Sequence, residues 1–249
     1  MDTITAAVIT LNEEANLAAC LESVAFADEI VVLDAGSTDG TLEIARRFTD
    51  RVYSEPWAGY SRQKNRAFVL ATGDWILSLD ADERITPDLG AEIVVLLEDP
   101  PPAVAGYRLP FKVYYRGKWI RHGGFYPEVH LRLFRRGRGR FGERAVHEAI
   151  EVDGPVGLLE HPVEHHTYQS VSDYIRRMER YSTLSAEEYF SEGRRTGSLG
   201  VVGRAAFTFF RMYVLERGFL DGYEGLLLAG LYGMYTFVKY AKLRELVRG

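Results

Sequence analysis

The amino-acid sequence predicts an α/β protein, with a mostly parallel central sheet flanked by helices and a helical appendage at its C-terminal end. Three observations carry this. Short β-branched runs alternate with apolar residues at helical spacing through about the first eighty positions, polar residues collect just after each run, and the chain turns helical and aromatic beyond residue 169.

The elements follow in order. Thr5 to Leu11 reads T-A-A-V-I-T-L, a strand, and after Asn12-Glu13-Glu14 the positions Leu17, Cys20, Leu21 and Val24 fall on one helical face. Glu29 to Leu33 is a second strand, closed by D-A-G-S-T-D-G-T (Asp34 to Thr41), and Leu42 to Phe48 continues as helix. Val52 and Tyr53 make a short third strand, Gln63 to Ala71 a helix, and Trp75 to Leu79 a fourth strand. The proline run Glu98 to Pro102 breaks the chain, and Gly106 to Tyr115 and Val129 to Arg135 read as strands that finish the sheet. Ser170 to Arg194 reads as a long helix with Tyr174, Ile175, Met178, Tyr181 and Leu184 inward. We divide the chain into a catalytic domain, 1–168, and a helical region, 169–249.

Composition narrows the function. The chain has 249 residues, a formal charge of −5 and one cysteine, Cys20. A negative balance argues against nucleic acid as a partner, and a lone cysteine excludes an internal disulfide and a cysteine-based zinc site, as in a reducing compartment. The first residues read as a strand and not as a signal peptide.

Ligands of open α/β sheets bind outside the carboxyl ends of the strands. There the chain places Thr10, Leu11, Asn12 and Glu13, then Asp34 with Ser37 to Asp39, then Asp80, Ala81 and Asp82. The run W-I-L-S-L-D-A-D-E (Trp75 to Glu83) ends a buried strand in carboxylates at i and i+2. Two like charges so close call for a shared cation, and Mg²⁺ commonly sits between one or two carboxylates and a diphosphate; a solvated acidic turn is the competing explanation. Gly36 and Gly40 allow a tight turn capped by Ser37, Thr38 and Asp39. That turn does not require Asp34, which stands at the strand end ready to accept from a base N–H or a ribose hydroxyl.

The succession ITLNEEANL, VVLDAGSTDGT, QKNRAF and WILSLDADERI resembles the nucleotide-binding half of inverting family 2 glycosyltransferases of the GT-A (Rossmann-like) fold. The resemblance implies that Asp34 contacts a uracil-type base and that Asp80 and Asp82 meet the ribose and a metal-bound diphosphate. It also implies a divalent metal (Mg or Mn) as cofactor and a basic residue, Lys64 or Arg62, near the nucleotide. Sugar transfer needs a carboxylate base across the sugar from the leaving group. Glu128, in G-G-F-Y-P-E-V-H-L-R, resembles the family's acidic position before an arginine; its alternative is a strand-edge carboxylate paired with Arg132. His147 and Glu148 resemble a V-H-E signature of small bacterial members, which makes His147 a metal ligand or diphosphate contact and Glu148 the alternative base. One of His161, His165 and His166 is a further metal-ligand candidate.

Basic residues crowd the stretch Arg108 to Arg144, among them Lys112, Lys118, Arg121 and Arg132, and suit anionic substrates. The segments Leu199 to Leu215 and Leu226 to Leu246 are apolar and aromatic but interrupted by charge, too short to span a bilayer. They fit an interfacial helix pair at a membrane surface, or equally a hairpin packed on the catalytic domain or on a second subunit. The tail Tyr213 to Leu226 is similar to that of family members building lipopolysaccharide inner core. The resemblance therefore implies a bacterial enzyme at the cytosolic face of the inner membrane. It moves a hexose, glucose by resemblance, from a UDP-sugar to a lipid-linked or phosphorylated saccharide. Three alternatives remain open: a polyprenyl-phosphate acceptor, a haloacid-type phosphatase, which would want a small residue where Arg84 stands, and a non-catalytic nucleotide-sugar module.

Overall fold

The computed structural model describes residues 1–142, 149–168 and 170–248. The strands, in chain order, are β1 (Ile4–Thr10), β2 (Glu29–Asp34), β3 (Val52–Ser54), β4 (Trp75–Asp80), β5 (Glu83–Ile85), β6 (Gly106–Tyr115), β7 (Lys118–Trp119), β8 (Glu128–Arg135), β9 (Gly139–Phe141), β10 (Ile150–Val152), β11 (Val156–Leu158) and β12 (Val163–Tyr168). The helices are α1 (Leu17–Ser23), α2 (Thr41–Ala45), α3 (Tyr60–Leu70), α4 (Pro87–Glu98), α5 (Val171–Ser191), α6 (Ser198–Phe210) and α7 (Tyr223–Arg248).

The main sheet runs β3-β2-β1-β4-β8-β6-β12-β5, with β7 and β11 added alongside β6. β3, β2, β1 and β4 are parallel neighbours, and β8 joins β4 antiparallel. Helices cover this half, so β1 is buried at all seven positions and β4 at all but Asp80. Such strands read as near-continuous apolar runs, which is why the parallel half is visible in the sequence. The predicted α/β architecture, a mostly parallel sheet half covered by helices with further helices at the C-terminal end, is thus present.

Register sets the site. Along β1, Thr10 stands beside Asp34 of β2, and Ile9 stands beside Asp80 of β4. Parallel strands end on the same edge, so the polar ends of β1, β2 and β4 share one rim.

Two compact units emerge. The first takes in Met1–Phe111 with 129–142 and 149–165; the second takes in Lys112–Glu128 with 166–168 and 170–248. Lys112–Glu128 thus groups with the C-terminal helices in the second unit. The reason is packing: Val113, Tyr115, Ile120 and Phe125 share a buried cluster with Met212, Leu228 and Ala229. The first unit is organised on Leu17, Leu21, Trp75, Leu77, Leu89, Ile93 and Phe111, all buried.

In the second unit α5 starts one residue later than predicted, with Ser170 as its N-cap accepting from the Asp173 N–H at 3.1 Å. Tyr174 and Met178 are buried as expected, whereas Ile175 is exposed and Ser182, Ser185 and Ala186 take the inner face. At the start of α7 a Cβ on Gly225 would stand 1.8 Å from the Gly218 carbonyl oxygen, so only glycine lets these backbones approach. No described helix is long and apolar enough to cross a membrane.

Candidate active site

The loop after β2 is built around Asp34, which is fully buried. Its Oδ2 accepts from the backbone N–H groups of Gly36 and Ser37, both at 2.9 Å, and Oδ1 accepts from the Ser37 hydroxyl. Ser54 adds a longer contact at 3.4 Å. This corrects the sequence reading in one respect: the turn does use Asp34, as the acceptor that folds Gly36 (φ +96°) and Ser37 back onto the strand end.

The loop after β1 locks onto that turn. Asn12 adopts the left-handed region (φ 54°), where asparagine is among the most tolerant residues. Its Oδ1 accepts from Thr38 N–H and its own N–H donates to Ser37 Oγ, both at 2.8 Å. Glu13 N–H donates to Thr41 Oγ1 at 2.8 Å, and Glu13 Oε2 accepts from Asn16 Nδ2 at 2.7 Å. Leu11 is exposed at the rim. Thr10 is buried, and its hydroxyl has no hydrogen-bond partner among the described residues.

The end of β4 is different in kind. Asp80 is held by Lys64 Nζ of α3 at 2.9 Å and by Arg132 Nη2 of β8 at 3.3 Å. Arg132 also pairs with the fully buried Glu83, whose other oxygen accepts the Asp80 N–H at 3.0 Å. Asp82 faces His165 Nε2 of β12 at 3.5 Å. Three acids, Asp80, Asp82 and Glu83, thus stand among three bases, Lys64, Arg132 and His165. Burial opposes every charge here, but Lys64 and Arg132 overcome it and hold the Asp80 carboxyl well below the usual range. For Glu83 burial wins, aided by Asp80, and its carboxyl is pushed up. Burial likewise works against a charged His165, yet Asp82, then Glu83 and Asp80, raise its imidazole to about 9.

Of the two basic candidates on α3, Lys64 is the one brought to Asp80; Arg62 lies on the exposed side. Ala81, between the carboxylates, is buried. Glu128 opens β8 in the second unit and is exposed. It is not the partner of Arg132, which Asp80 and Glu83 take instead. After burial, Tyr168 and Tyr174, Glu128 is among the groups that keep the Tyr232 phenol protonated far above its ordinary range. His147 and Glu148 lie outside the described residues.

Part of the basic stretch is structural: Arg135 pairs with Asp2 at 3.2 Å and lies over Trp75, and Lys118 pairs with Glu224 at 2.6 Å. Sequence reasoning missed Glu83 as the buried partner of Arg132. Flanked by Asp82 and Arg84, Glu83 carries no mark of burial in the sequence, and only the fold brings it beneath Arg132.

Asp80 and Asp82 are hard oxygen donors, the kind a divalent cation takes. Among the described residues no three His, Cys, Asp or Glu side chains are grouped so as to hold a metal by themselves. That donor set fits a cation that shares its shell with substrate phosphates.

The chain is similar to known proteins along its whole length. The lipopolysaccharide core biosynthesis glycosyltransferase LpsC of Rhizobium meliloti (strain 1021) is 32% identical, over 97% of this chain and 92% of that protein. A glycosyltransferase of Rickettsia typhi is 28% identical, over 99% of this chain and 88% of that protein. Among solved structures, glucosyl-3-phosphoglycerate synthase from Mycobacterium tuberculosis with Mn²⁺ and UDP-glucose is 26% identical with a TM-score of 0.37, over 47% of this chain and 44% of that one. The model of the family "Glycosyl transferase family 2" matches residues 5–154. The chain therefore belongs to glycosyl transferase family 2, and it is a glycosyltransferase.

Proposed function

We infer that the chain is a metal-dependent inverting transferase that moves a hexose, glucose by resemblance, from a UDP-sugar to a lipid-linked saccharide such as a lipopolysaccharide inner core. The observation that carries this is the rim where Thr10, Asp34 and Asp80 end three parallel strands, with Asp82 just beyond, beside buried Lys64 and half-buried Arg132.

The roles follow from what transfer requires. Thr10, Leu11, Asn12 and Glu13 form the wall of the nucleotide site, and the Thr10 hydroxyl has hydrogen-bonding capacity to spare. Asp34 shapes the loop that meets the base, and a carboxylate with the bonds described keeps acceptor capacity at Oδ1. Asp82, with Asp80, would hold the cation, and His147 is the candidate to complete its shell. When bound, that cation supplies Lewis-acid stabilisation of the departing diphosphate. Lys64 and Arg132 put two further positive charges beside Asp80 to offset that growing negative charge.

The acceptor hydroxyl gives its proton to a carboxylate as its oxygen bonds to the sugar C1, while the bond from C1 to the diphosphate oxygen breaks and UDP leaves. We assign the base to Glu128, with Glu148 as the alternative.

The C-terminal helices add a membrane-surface role. Of the aromatic residues there, Phe207, Phe210, Phe219 and Phe237 are exposed, with Leu199, Leu215 and Leu220, near exposed Arg204, Arg211 and Arg217. Apolar side chains rimmed by arginines suit an interfacial position among anionic headgroups. Phe209, Tyr213, Tyr232 and Tyr235 instead pack inward.

Calorimetric titration with UDP, with and without Mn²⁺, tests the donor half: metal-dependent uptake that Asp82→Asn weakens at least about tenfold is expected. No uptake under any metal condition sinks the reading. Glu128→Gln should bind UDP normally and transfer nothing; retained turnover moves the base to Glu148.

A further inference from the structure

Within the second unit the stretch Lys112–Glu128 carries an arrangement that the donor chemistry leaves unused. Trp119 of β7 is half-buried, and its ring meets Tyr126 edge-on at 5.4 Å. Two cations lie over the same indole, Lys112 Nζ at 4.7 Å and Arg121 Cζ at 4.2 Å from the ring centroid. Among the described residues neither has an acidic partner.

The nearby acids are spent elsewhere. Asp221 is buried and accepts from the backbone N–H groups of Arg121 at 3.1 Å and His122 at 2.7 Å, and it meets His122 Nδ1 at 3.1 Å. Glu224 pairs with Lys118, whose Nζ also donates to the Asp221 carbonyl at 2.7 Å. These bonds fix the turn after β7, and with it the backbone that bears Trp119 and Arg121, while leaving both ring-stacked cations uncompensated.

Like charges gathered on one aromatic ring repel each other, and an anion placed between them removes that cost. The Trp119 N–H adds a second sign: it is buried without an acceptor among the described residues, a departure that calls for a reason. Tyr126 is 40% exposed and so offers a ring face to the solvent. Aromatic faces bury the apolar CH face of a sugar, and a guanidinium grips a phosphate or carboxylate through paired N–H groups. Two residues further along the chain comes Glu128.

We propose that Lys112, Trp119, Arg121 and Tyr126 form an acceptor subsite for an anionic sugar residue, one that bears a phosphate. This rests on the glycosyltransferase reading and names the charge class of its acceptor. The rings hold the sugar, the two cations select its charge, and Tyr126 sets the sugar beside the chain segment that carries Glu128.

The test is the indole N–H signal of Trp119 in a ¹⁵N-labelled protein, identified by its loss in Trp119→Phe. Glucose 6-phosphate, glucose and inorganic phosphate are titrated separately as probes. The signal should move with glucose 6-phosphate at lower concentration than with either of the others. Arg121→Gln or Lys112→Gln should weaken that response roughly tenfold, as expected for loss of a charged hydrogen-bonding partner. The signals of Trp57 and Trp75 report whether each variant is folded. A silent Trp119, or equal movement with glucose or with phosphate alone, overturns the proposal. UDP titration of the same sample separates the two readings. Normal UDP uptake beside a silent Trp119 rejects this subsite alone, and a responsive Trp119 without UDP uptake rejects the donor site alone.

Discussion

The ends of β2 and β4 carry carboxylates on the same rim, yet they are stabilised in opposite ways. Asp34 is satisfied by its own neighbourhood, with Gly36 and Ser37 two and three residues on. Asp80 is satisfied by side chains 16 and 52 residues away, and Glu83 by Arg132 at a separation of 49. The first arrangement is neutral dipoles around one charge; the second is full charges facing full charges. Dipoles from a local turn hold a carboxylate cheaply and keep it in place, whereas buried ion pairs cost desolvation and are vulnerable to the loss of one member. The β2 end is thus a fixed wall, and the β4 end is a balanced set of charges in which each member depends on the others.

The strongest way to break this contrast is Arg132→Met. It leaves buried Glu83 without its cation, so unfolding in urea should show a loss of about 3–5 kcal/mol. Adding Glu83→Leu should restore much of that loss; no recovery would mean that Arg132 acts through packing on Phe111, over which it lies at 5.4 Å, and not through charge. Asp34→Ala comes next. It removes the acceptor of two part-buried N–H groups, and the same measurement should show a loss of about 1–3 kcal/mol. A loss as large as that of Arg132→Met would erase the distinction between the two ends.

Asp82→Asn sharpens the comparison by removing a charge that faces only part of the network. We expect a loss of about 1–2 kcal/mol, read from the same urea midpoints, because Asp82 is buried and its charge faces His165, whose side chain keeps 25% of its exposure. A large loss would make Asp82 as structural as Glu83.

The smallest effect concerns a local clasp of the β2 kind. Glu92 of α4 accepts from the backbone N–H groups of Glu160 and His161 and meets His161 Nδ1 at 2.9 Å. Burial works against it, but those bonds hold its carboxyl below its ordinary 4.5. A lowered folded value means that the contribution is complete above 4.5 and disappears as pH falls through the folded value. The urea midpoint of the wild type should therefore exceed that of Glu92→Gln at about pH 6 and converge with it by about pH 3. A gap that persists in acid would sink the assignment.

What the sequence displays divides along the same line. Parallel strands buried on both faces announce themselves as apolar runs, and a turn built from its own residues can be read as D-A-G-S-T-D-G-T. Even so, Asp34's part in that turn was invisible, since the spacing of Gly36 and Ser37 does not say which oxygen folds back. The partners of Asp80 and Glu83 come from α3 and β8, and only pairing of β4 with β8 brings Arg132 within reach. For that reason the sequence suggested Glu128 as the partner of Arg132, a neighbour along the strand, where the sheet supplies Asp80 and Glu83. The sequence left Lys64 and Arg62 as equal candidates; the helix turns Lys64 inward, with its side chain only 8% exposed.

The pairing of β1 with both β2 and β4 makes that strand a common ruler, with Thr10 opposite Asp34 and Ile9 opposite Asp80. Inserting or deleting one residue in β1 would turn Thr10 to the other face and misalign both neighbouring loops in a single event. Donor preference can therefore drift through changes in the loops, one rim segment at a time, while the length of β1 is held by every segment together.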